Sequence, residues 1–145
     1  MSTRASTGYS GTPLARKLGL SAGMRIVLVD APEDYATLTG FDLGSCHVLG
    51  QIDAFDFAHA FVRSRAALAS ALNTLVPHLD DRGMIWISWL KRASGIATDL
   101  TEDGVRELAL PLGLVDVKVC AVDAIWSGLK LVRRVELRGG TPRQA

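Results

Sequence analysis

The chain has 145 residues, a usual length for one domain, and a second domain would be too small to hold a core of its own. Its 16 basic residues nearly balance its 15 acidic residues, which leaves no electrostatic signature of nucleic-acid binding or of binding to an anionic membrane. No apolar run approaches the roughly 20 residues that span a bilayer, and the first residues lack the apolar core of a signal peptide. We therefore expect a cytoplasmic protein.

The spacing of cysteines and histidines predicts neither a disulfide framework nor a metal site. Cys46 and Cys120 form no CxxC pair, so reduced thiols are expected. His47, His59 and His78 have no metal-ligand spacing with each other or with the cysteines. We expect these three histidines to be structural or surface residues.

Small and polar residues dominate both ends of the chain. Residues 1–8 have nothing to bury and are expected to form a flexible arm, and residues 139–145 are expected to form a flexible tail. No internal repeat or low-complexity segment interrupts the rest. Residues 9–138 are therefore predicted to form a single domain.

The first predicted elements are a short helix and a buried strand. The helix is predicted over residues 13–18, with Thr12 as its cap and Gly19 as its end. Residues 24–30 are a continuous apolar run rich in β-branched side chains, which is typical of a strand covered on both faces of a parallel sheet. Pro32 ends this strand.

The middle of the chain predicts two more strands and a helix. Residues 46–52 have a weaker strand pattern and residues 55–62 a stronger one. From residue 64 to about residue 79 the apolar pattern is helical, and Pro77 should fray the last turn. The leucines that define the buried face of this helix are Leu68, Leu72, Leu75 and Leu79.

A further strand and helix follow. Gly83 precedes an apolar run over residues 84–89, which predicts another buried strand. Thr101 is predicted to cap a helix with acidic residues in its first turn, where the helix dipole favours them. Pro111 and Gly113 close this helix.

The C-terminal part alternates apolar and polar residues. Residues 115–121 and 129–137 predict the two arms of a β-hairpin, of which at least the first is half-buried. Strands alternating with helices and followed by a hairpin predict an α/β fold. Specifically, we expect a three-layer, mostly parallel Rossmann-like sheet with a C-terminal antiparallel hairpin.

Several of these segments resemble the second half of class I methyltransferases. The start of the strand Phe55-Asp56-Phe57-Ala58 looks like the start of their fourth strand. Residues 75–83, LVPHLDDRG, look like the helix end and turn before their fifth strand. These enzymes also end on an antiparallel strand inserted beside the fifth. The resemblance covers roughly residues 55–137 and implies a pared-down methyltransferase-like fold.

The chain is also similar to a family of bacterial domains of unknown function. The segments that carry this likeness are GYSGTPLARKLG at residues 8–19, SWLKRASG at residues 88–95 and WSGLK at residues 126–130. They span nearly the whole chain. The likeness implies membership in this family of domains and carries no implication about activity.

The turn after the first strand departs from the methyltransferase pattern. S-adenosylmethionine enzymes carry a glycine-rich turn there, which lets the backbone approach the cofactor. Here the turn is Asp30-Ala31-Pro32-Glu33-Asp34, with no glycine and with a proline that lacks an N–H group. Because these side chains would crowd the cofactor's place, we expect S-adenosylmethionine to bind weakly or not at all.

A ligand site is predicted at the carboxyl edge of the sheet, where open α/β sheets bind ligands. Loops at residues 30–35, 63–65, 89–99 and 123–128 are expected to meet there. Residues 91–95, KRASG, combine two cations, a hydroxyl and a glycine, which suit a phosphate or carboxylate. The alternative is a set of solvated loop charges with packed tryptophans. The candidate ligand-binding residues are Arg63, Arg65, Lys91, Arg92, Ser94, Gly95, Asp99, Asp123, Trp126 and Ser127.

Two functions are compatible with these features. The first is a noncatalytic module that binds an anionic small molecule or a protein, which the missing glycine turn and the absence of a recognisable catalytic motif favour. The alternative is an enzyme acting on a phosphorylated or adenosyl-containing small molecule, possibly an atypical S-adenosylmethionine-dependent methyltransferase. The sequence favours the first.

An edge strand is expected to form a homodimer. Residues 46–52 are the candidate edge, because no further strand lies beyond them and they lack the charges that usually protect an exposed edge. The hairpin edge has Asp116 and Lys118 for that protection.

Overall fold

A computed structural model describes residues 13–138, which form a six-stranded sheet. The strands lie in the order β2-β1-β3-β4-β6-β5; β1 to β4 are parallel, and β6 is antiparallel to both β4 and β5. This confirms the predicted α/β class and the closing hairpin. The strand bounds are β1 Arg25–Val29, β2 His47–Val48, β3 Phe55–Val62, β4 Leu79–Leu90, β5 Leu114–Ala121 and β6 Trp126–Arg133.

Among residues 13–138, one α-helix precedes the first strand and three lie between strands, and local capping explains where the two longer ones begin. Ser64 Oγ accepts a hydrogen bond from Ala67 N, and Thr101 Oγ1 accepts one from Gly104 N, as the sequence predicts for Thr101. The helix after β3 ends where Pro77 enters a 3₁₀ turn. The helix bounds are α1 Leu14–Leu18, α2 Tyr35–Thr39, α3 Arg65–Leu75 and α4 Glu102–Ala109.

The helices cover both faces of the sheet and give two separate cores. One core lies under α3 and α4, where Leu68, Leu72 and Leu75 are fully buried on the helix face that their spacing predicts. The other lies under α1 and α2, with the fully buried Trp86 donating its indole N–H to Leu18 O at 2.8 Å. A three-layer arrangement follows.

Both edge strands differ from the sequence expectation. Of residues 46–52 only His47 and Val48 form a strand, because the ladder ends after Leu49 N donates to Ile26 O. The half-buried arm of the hairpin is β6 rather than β5, since β5 is the outer strand and Val117 is 57% exposed. A β-bulge at this valine displaces it from the register with β6.

The two charges expected to protect the hairpin edge are both engaged inside the chain. Asp116 Oδ2 accepts a hydrogen bond from Arg106 Nε at 3.0 Å, which joins β5 to α4. Lys118 Nζ donates to Lys17 O at 3.0 Å, which joins β5 to α1. The charges therefore hold the outer strand against the two helix layers instead of remaining free at its edge.

Several expectations fall outside the described residues. The arm at residues 1–8, the tail at residues 139–145 and the capping role of Thr12 belong to this group. Within the described part, α1 ends at Gly19, which has a φ of 84° as a left-handed helix cap requires. Among residues 13–138 no helix has the length and apolar character to cross a membrane.

Candidate functional site at the carboxyl edge

The loops predicted to carry ligand-binding residues meet at one edge of the sheet. β3 and β4 run parallel, so the segments that begin at Arg63 and Lys91 leave the sheet at the same edge. β6 begins at this edge, because it is antiparallel to β4 and pairs Trp126 with Leu90. Lys91 N donates to Ile125 O at 2.8 Å, which joins the loop after β4 to the hairpin turn. The predicted proximity of the two loops is confirmed.

The polar acceptors of the predicted site are occupied by backbone donors. Asp99 Oδ1 accepts from Arg65 N at 2.8 Å, at the first residue of α3. Asp123 Oδ1 accepts from the amides of two residues of its own hairpin turn at 2.8 and 2.9 Å. Ser94 Oγ accepts from Ile96 N at 3.1 Å. These side chains set the shape of the loops.

The cationic side chains of the predicted site make different contacts. Arg65 pairs with Glu107 at 3.2 Å. Within residues 13–138, no ion pair joins Arg63, Lys91 or Arg92 to a carboxylate. Arg63 instead lies over the Trp126 ring, 5.5 Å from its centroid, in a cation–π contact. Among the described residues, the edge therefore carries three cations that form no ion pair with a carboxylate.

A cavity of about 570 Å³ opens beside the loop that follows β4. Arg92 and Gly95 line it, whereas Lys91, Ser94 and Asp99 do not. Ser127 is in register with Trp89 in the sheet. The remaining lining residues are mostly apolar: Trp89, Leu90, Ile96, Ala97, Thr98, Leu100 and Thr101. We call this space the β4 cavity.

A second, smaller cavity lies where the direction of the crossovers changes, between β1 and β3. In open α/β sheets this switch point is where ligands bind. Asp30 follows β1 there with a φ of 54°, a left-handed conformation that glycine usually supplies. The cavity measures about 240 Å³. It is lined by Val29, Asp30, Ile52, Val62, Ala67, Ser70, Ala71, Thr74 and Leu75.

A buried polar chain, which sequence reasoning missed, anchors the turn after β1 to the sheet. Tyr35 Oη lies 2.8 Å from His59 Nδ1, and Ser88 Oγ lies 2.6 Å from His59 Nε2. All three side chains are buried, and burial lowers the pKa of His59 to about 3 and raises that of Tyr35. The imidazole is therefore neutral at physiological pH. In the sequence, the signal for this buried polar chain is a polar residue within an apolar strand.

Comparison with known proteins places this geometry among methyltransferase structures. No protein-family model and no curated protein matches the chain. A TehB-like SAM-dependent methyltransferase from Corynebacterium glutamicum has a TM-score of 0.57 at 14% identity, with 91% of this chain and 93% of that chain covered. CalO1, a methyltransferase in calicheamicin biosynthesis with SAH bound, has a TM-score of 0.61 at 10% identity, covering 83% and 52%. LepI in complex with SAM has a TM-score of 0.53 at 14% identity, covering 91% and 46%.

These comparisons correct two expectations. The preference for a noncatalytic module and the expectation that S-adenosylmethionine (SAM) binds weakly or not at all are both contradicted, because SAM-dependent and SAM- or SAH-bound proteins share the fold. The physical error concerned the turn after β1. Aspartate tolerates the left-handed conformation better than most residues, so Asp30 gives the turn a positive φ without glycine.

The solved structures differ in how much of their length this chain covers. The chain spans about half the length of CalO1 and of LepI, and nearly all of the TehB-like protein. At 10–14% identity the likeness concerns the fold. The chain has a methyltransferase-like Rossmann fold.

Proposed function

We propose that this chain is an enzyme that binds an adenosyl cofactor of the SAM type at the carboxyl edge of the sheet, between β1 and β3, and acts in methyl transfer. The observation that carries the proposal is Asp30, whose positive φ forms a glycine-like turn at the switch point of a methyltransferase-like sheet. When bound, such a cofactor supplies an activated methyl group.

The residues at the switch point suit an adenosyl group. The carboxylate of the exposed Asp30 can accept hydrogen bonds from ribose hydroxyls or from an amino group. Val29, Ile52 and Val62 give the neighbouring cavity an apolar wall on which an adenine ring can pack. The buried Tyr35 holds the turn in place through its bond to the sheet.

Isothermal titration of the full chain with SAM and with S-adenosylhomocysteine tests this proposal. Asp30→Asn keeps a residue that tolerates the positive φ and removes only the negative charge, and we expect it to weaken binding about tenfold, equivalent to about 1.4 kcal/mol. Glu33→Gln is the matched control, since Glu33 is an exposed carboxylate in the same turn. Absence of binding of both compounds to the wild type would contradict the proposal.

The homodimer and the assignments of family and location stay proposals. β2 lies at an edge of the sheet, and Val48 is 48% exposed there, which supports pairing with a second copy through residues 46–52. Light scattering at high protein concentration tests it, and a monomer would refute it. Membership in the bacterial family of unknown function and a cytoplasmic location rest on the sequence segments and composition given above.

A further inference from the structure

The cations at the carboxyl edge differ from most other arginines in the described chain. Arg63, Lys91 and Arg92 follow β3 and β4 without a carboxylate partner among residues 13–138. Away from this group, ion pairs with carboxylates involve Arg25, Arg65, Arg106, Arg133 and Arg134. Unneutralised positive charge gathered at one edge attracts anions.

Among residues 13–138 the nearest carboxylates form no ion pair with these cations, and each accepts hydrogen bonds from backbone amides. Asp99 accepts from the first amide of α3, and Asp123 accepts from the amides of the hairpin turn. Arg63, which follows β3, is held over the ring of Trp126. Lys91 and Arg92 are the two cations of the loop after β4. Of these two, Arg92 lines the β4 cavity.

The β4 cavity has the size and lining of a small-molecule site. Its volume of about 570 Å³ lies within the range of roughly 300–1,000 Å³ that ligand pockets show. The buried side chains of Trp89 and Leu100 form its apolar wall, and Ile96 is 43% exposed beside them. One cation next to an apolar wall suits a ligand with one anionic group and an apolar body.

The neighbouring donors favour a carboxylate over a phosphate. Phosphates in proteins are often bound by the free amides of a helix N-terminus. Here, side-chain caps occupy Ala67 N of α3 and Gly104 N of α4, both at 3.0 Å. A guanidinium such as that of Arg92 pairs with a carboxylate or a phosphate through two parallel hydrogen bonds, so the preference for a carboxylate rests on the capped amides.

We propose that the β4 cavity binds an apolar carboxylic acid, with the Arg92 guanidinium taking the carboxylate and the wall of Trp89, Ile96 and Leu100 taking the apolar body. This site is separate from the cavity at the switch point, and its occupation does not require a cofactor. If the proposed methyl transfer holds, which is the one part of the inference that rests on the proposed function, the acid is the acceptor.

Titration calorimetry of the full chain with a matched pair of probes tests the inference. Indole-3-acetate and indole-3-acetamide differ only in charge at the group meant for Arg92. We expect the acid to bind at least about tenfold more tightly than the amide, and Arg92→Ala to remove that difference. Arg92→Lys, which keeps the charge but loses the planar fork, should give an intermediate affinity.

The control variant is Arg82→Ala. Arg82 lies within β4 near its amino end, away from the loop that carries Arg92, and among the described residues its side chain makes no ion pair. This variant should bind the acid as the wild type does, and thermal melting checks that each variant folds. Equal affinity for acid and amide, equal loss in both alanine variants, no binding of either probe, or tighter binding of phenyl phosphate than of phenylacetate would overturn the inference.

The outcome is independent of the cofactor experiment. Acid binding that depends on Arg92 supports the β4 cavity even when the chain does not bind SAM. Conversely, SAM binding that depends on Asp30 leaves the proposed function standing even when neither indole probe binds. The two failures are therefore distinguishable.

Discussion

Replacing His59 by Phe should destabilise the protein by an amount set by two buried hydroxyls. The substitution keeps an aromatic ring stacked on Phe61, where the centroids are 4.3 Å apart, and removes both ring nitrogens. Tyr35 and Ser88 then lose their partner while they remain buried. A buried polar group without a partner costs about 1–3 kcal/mol, so the expected loss in the free energy of unfolding is about 2–6 kcal/mol.

A matched triple variant separates this cost from a general packing defect. The variant Tyr35→Phe/His59→Phe/Ser88→Ala removes all the side-chain polar groups of the buried hydrogen-bonded triplet together. Replacing all partners of such a set by apolar groups can be nearly neutral for stability. We therefore expect the triple variant to recover most of the stability that His59→Phe loses. A triple variant as unstable as the single one would refute the assignment of the cost to unsatisfied hydroxyls.

The same histidine predicts a pH dependence with a defined sign. Burial lowers the pKa of His59 to about 3, whereas histidine in an unfolded chain has a pKa of about 6.5. Below pH 6.5 the unfolded state binds a proton that the native state does not, so stability is present at neutral pH and is lost as the pH falls toward 3. Between pH 7 and pH 5 the loss should be about 2 kcal/mol.

Urea unfolding followed by tryptophan fluorescence at pH 7 and pH 5 measures this effect. Asp56, whose pKa is lowered chiefly by its hydrogen bond from Arg25, loses its contribution only in more acidic solution, so this interval isolates His59. In both variants without His59 the difference between the two pH values should shrink by about 2 kcal/mol. An unchanged difference would show that His59 is not the titrating group.

Two further predictions concern packing. Trp126→Ala should lower the free energy of unfolding by about 3–5 kcal/mol. Trp126 is 9% exposed, and its ring packs edge-on against that of Phe61 in β3, with 5.1 Å between the ring centroids. Its neighbour Ile125 is 41% exposed, so Ile125→Ala should have little effect in the same urea titration. Gly83→Ala should cost about 1–3 kcal/mol, because its Cβ would lie 2.9 Å from Leu79 Cδ1 and 3.0–3.1 Å from two carbonyl oxygens of β3. Gly50→Ala, with no atom within 4 Å of its Cβ, should leave the melting temperature unchanged.

The fold was predictable because its main signals are local. The apolar run before Pro32 and the leucine spacing of α3 each fix an element within a few residues. The caps at Ser64 and Thr101 work in the same way. The short helix α2 was missed, since five residues carry too little periodicity to be recognised.

The candidate site was predictable only to the level of loops. Parallel strands deliver their following loops to one edge, so the proximity of Lys91 to the hairpin turn could be derived. What each side chain does there depends on contacts between distant residues. Asp99 caps a helix that begins 34 residues earlier, and the partners of His59 lie 24 and 29 residues away in the chain. No local pattern encodes such pairs.

At Asp30, the residue type alone did not predict what the turn can do. Because the turn has no glycine, its side chains were expected to crowd the place of the cofactor. The observed φ of 54° shows that the backbone requirement can be met by an aspartate. A glycine motif is therefore a sufficient signal for such a turn without being a necessary one.

The position of β6 has a consequence for how the chain folds during synthesis. β6 is the last strand in chain order, yet it lies between β4 and β5 inside the sheet. Until residues 126–133 leave the ribosome, the apolar edge of β4 around Trp86 and Ile87 has no partner, and β5 has no strand to join. An unpaired apolar edge is a template for association with other chains. The nascent protein should therefore be most prone to aggregation just before residues 126–133 emerge, and a chaperone that binds extended apolar segments should engage it there.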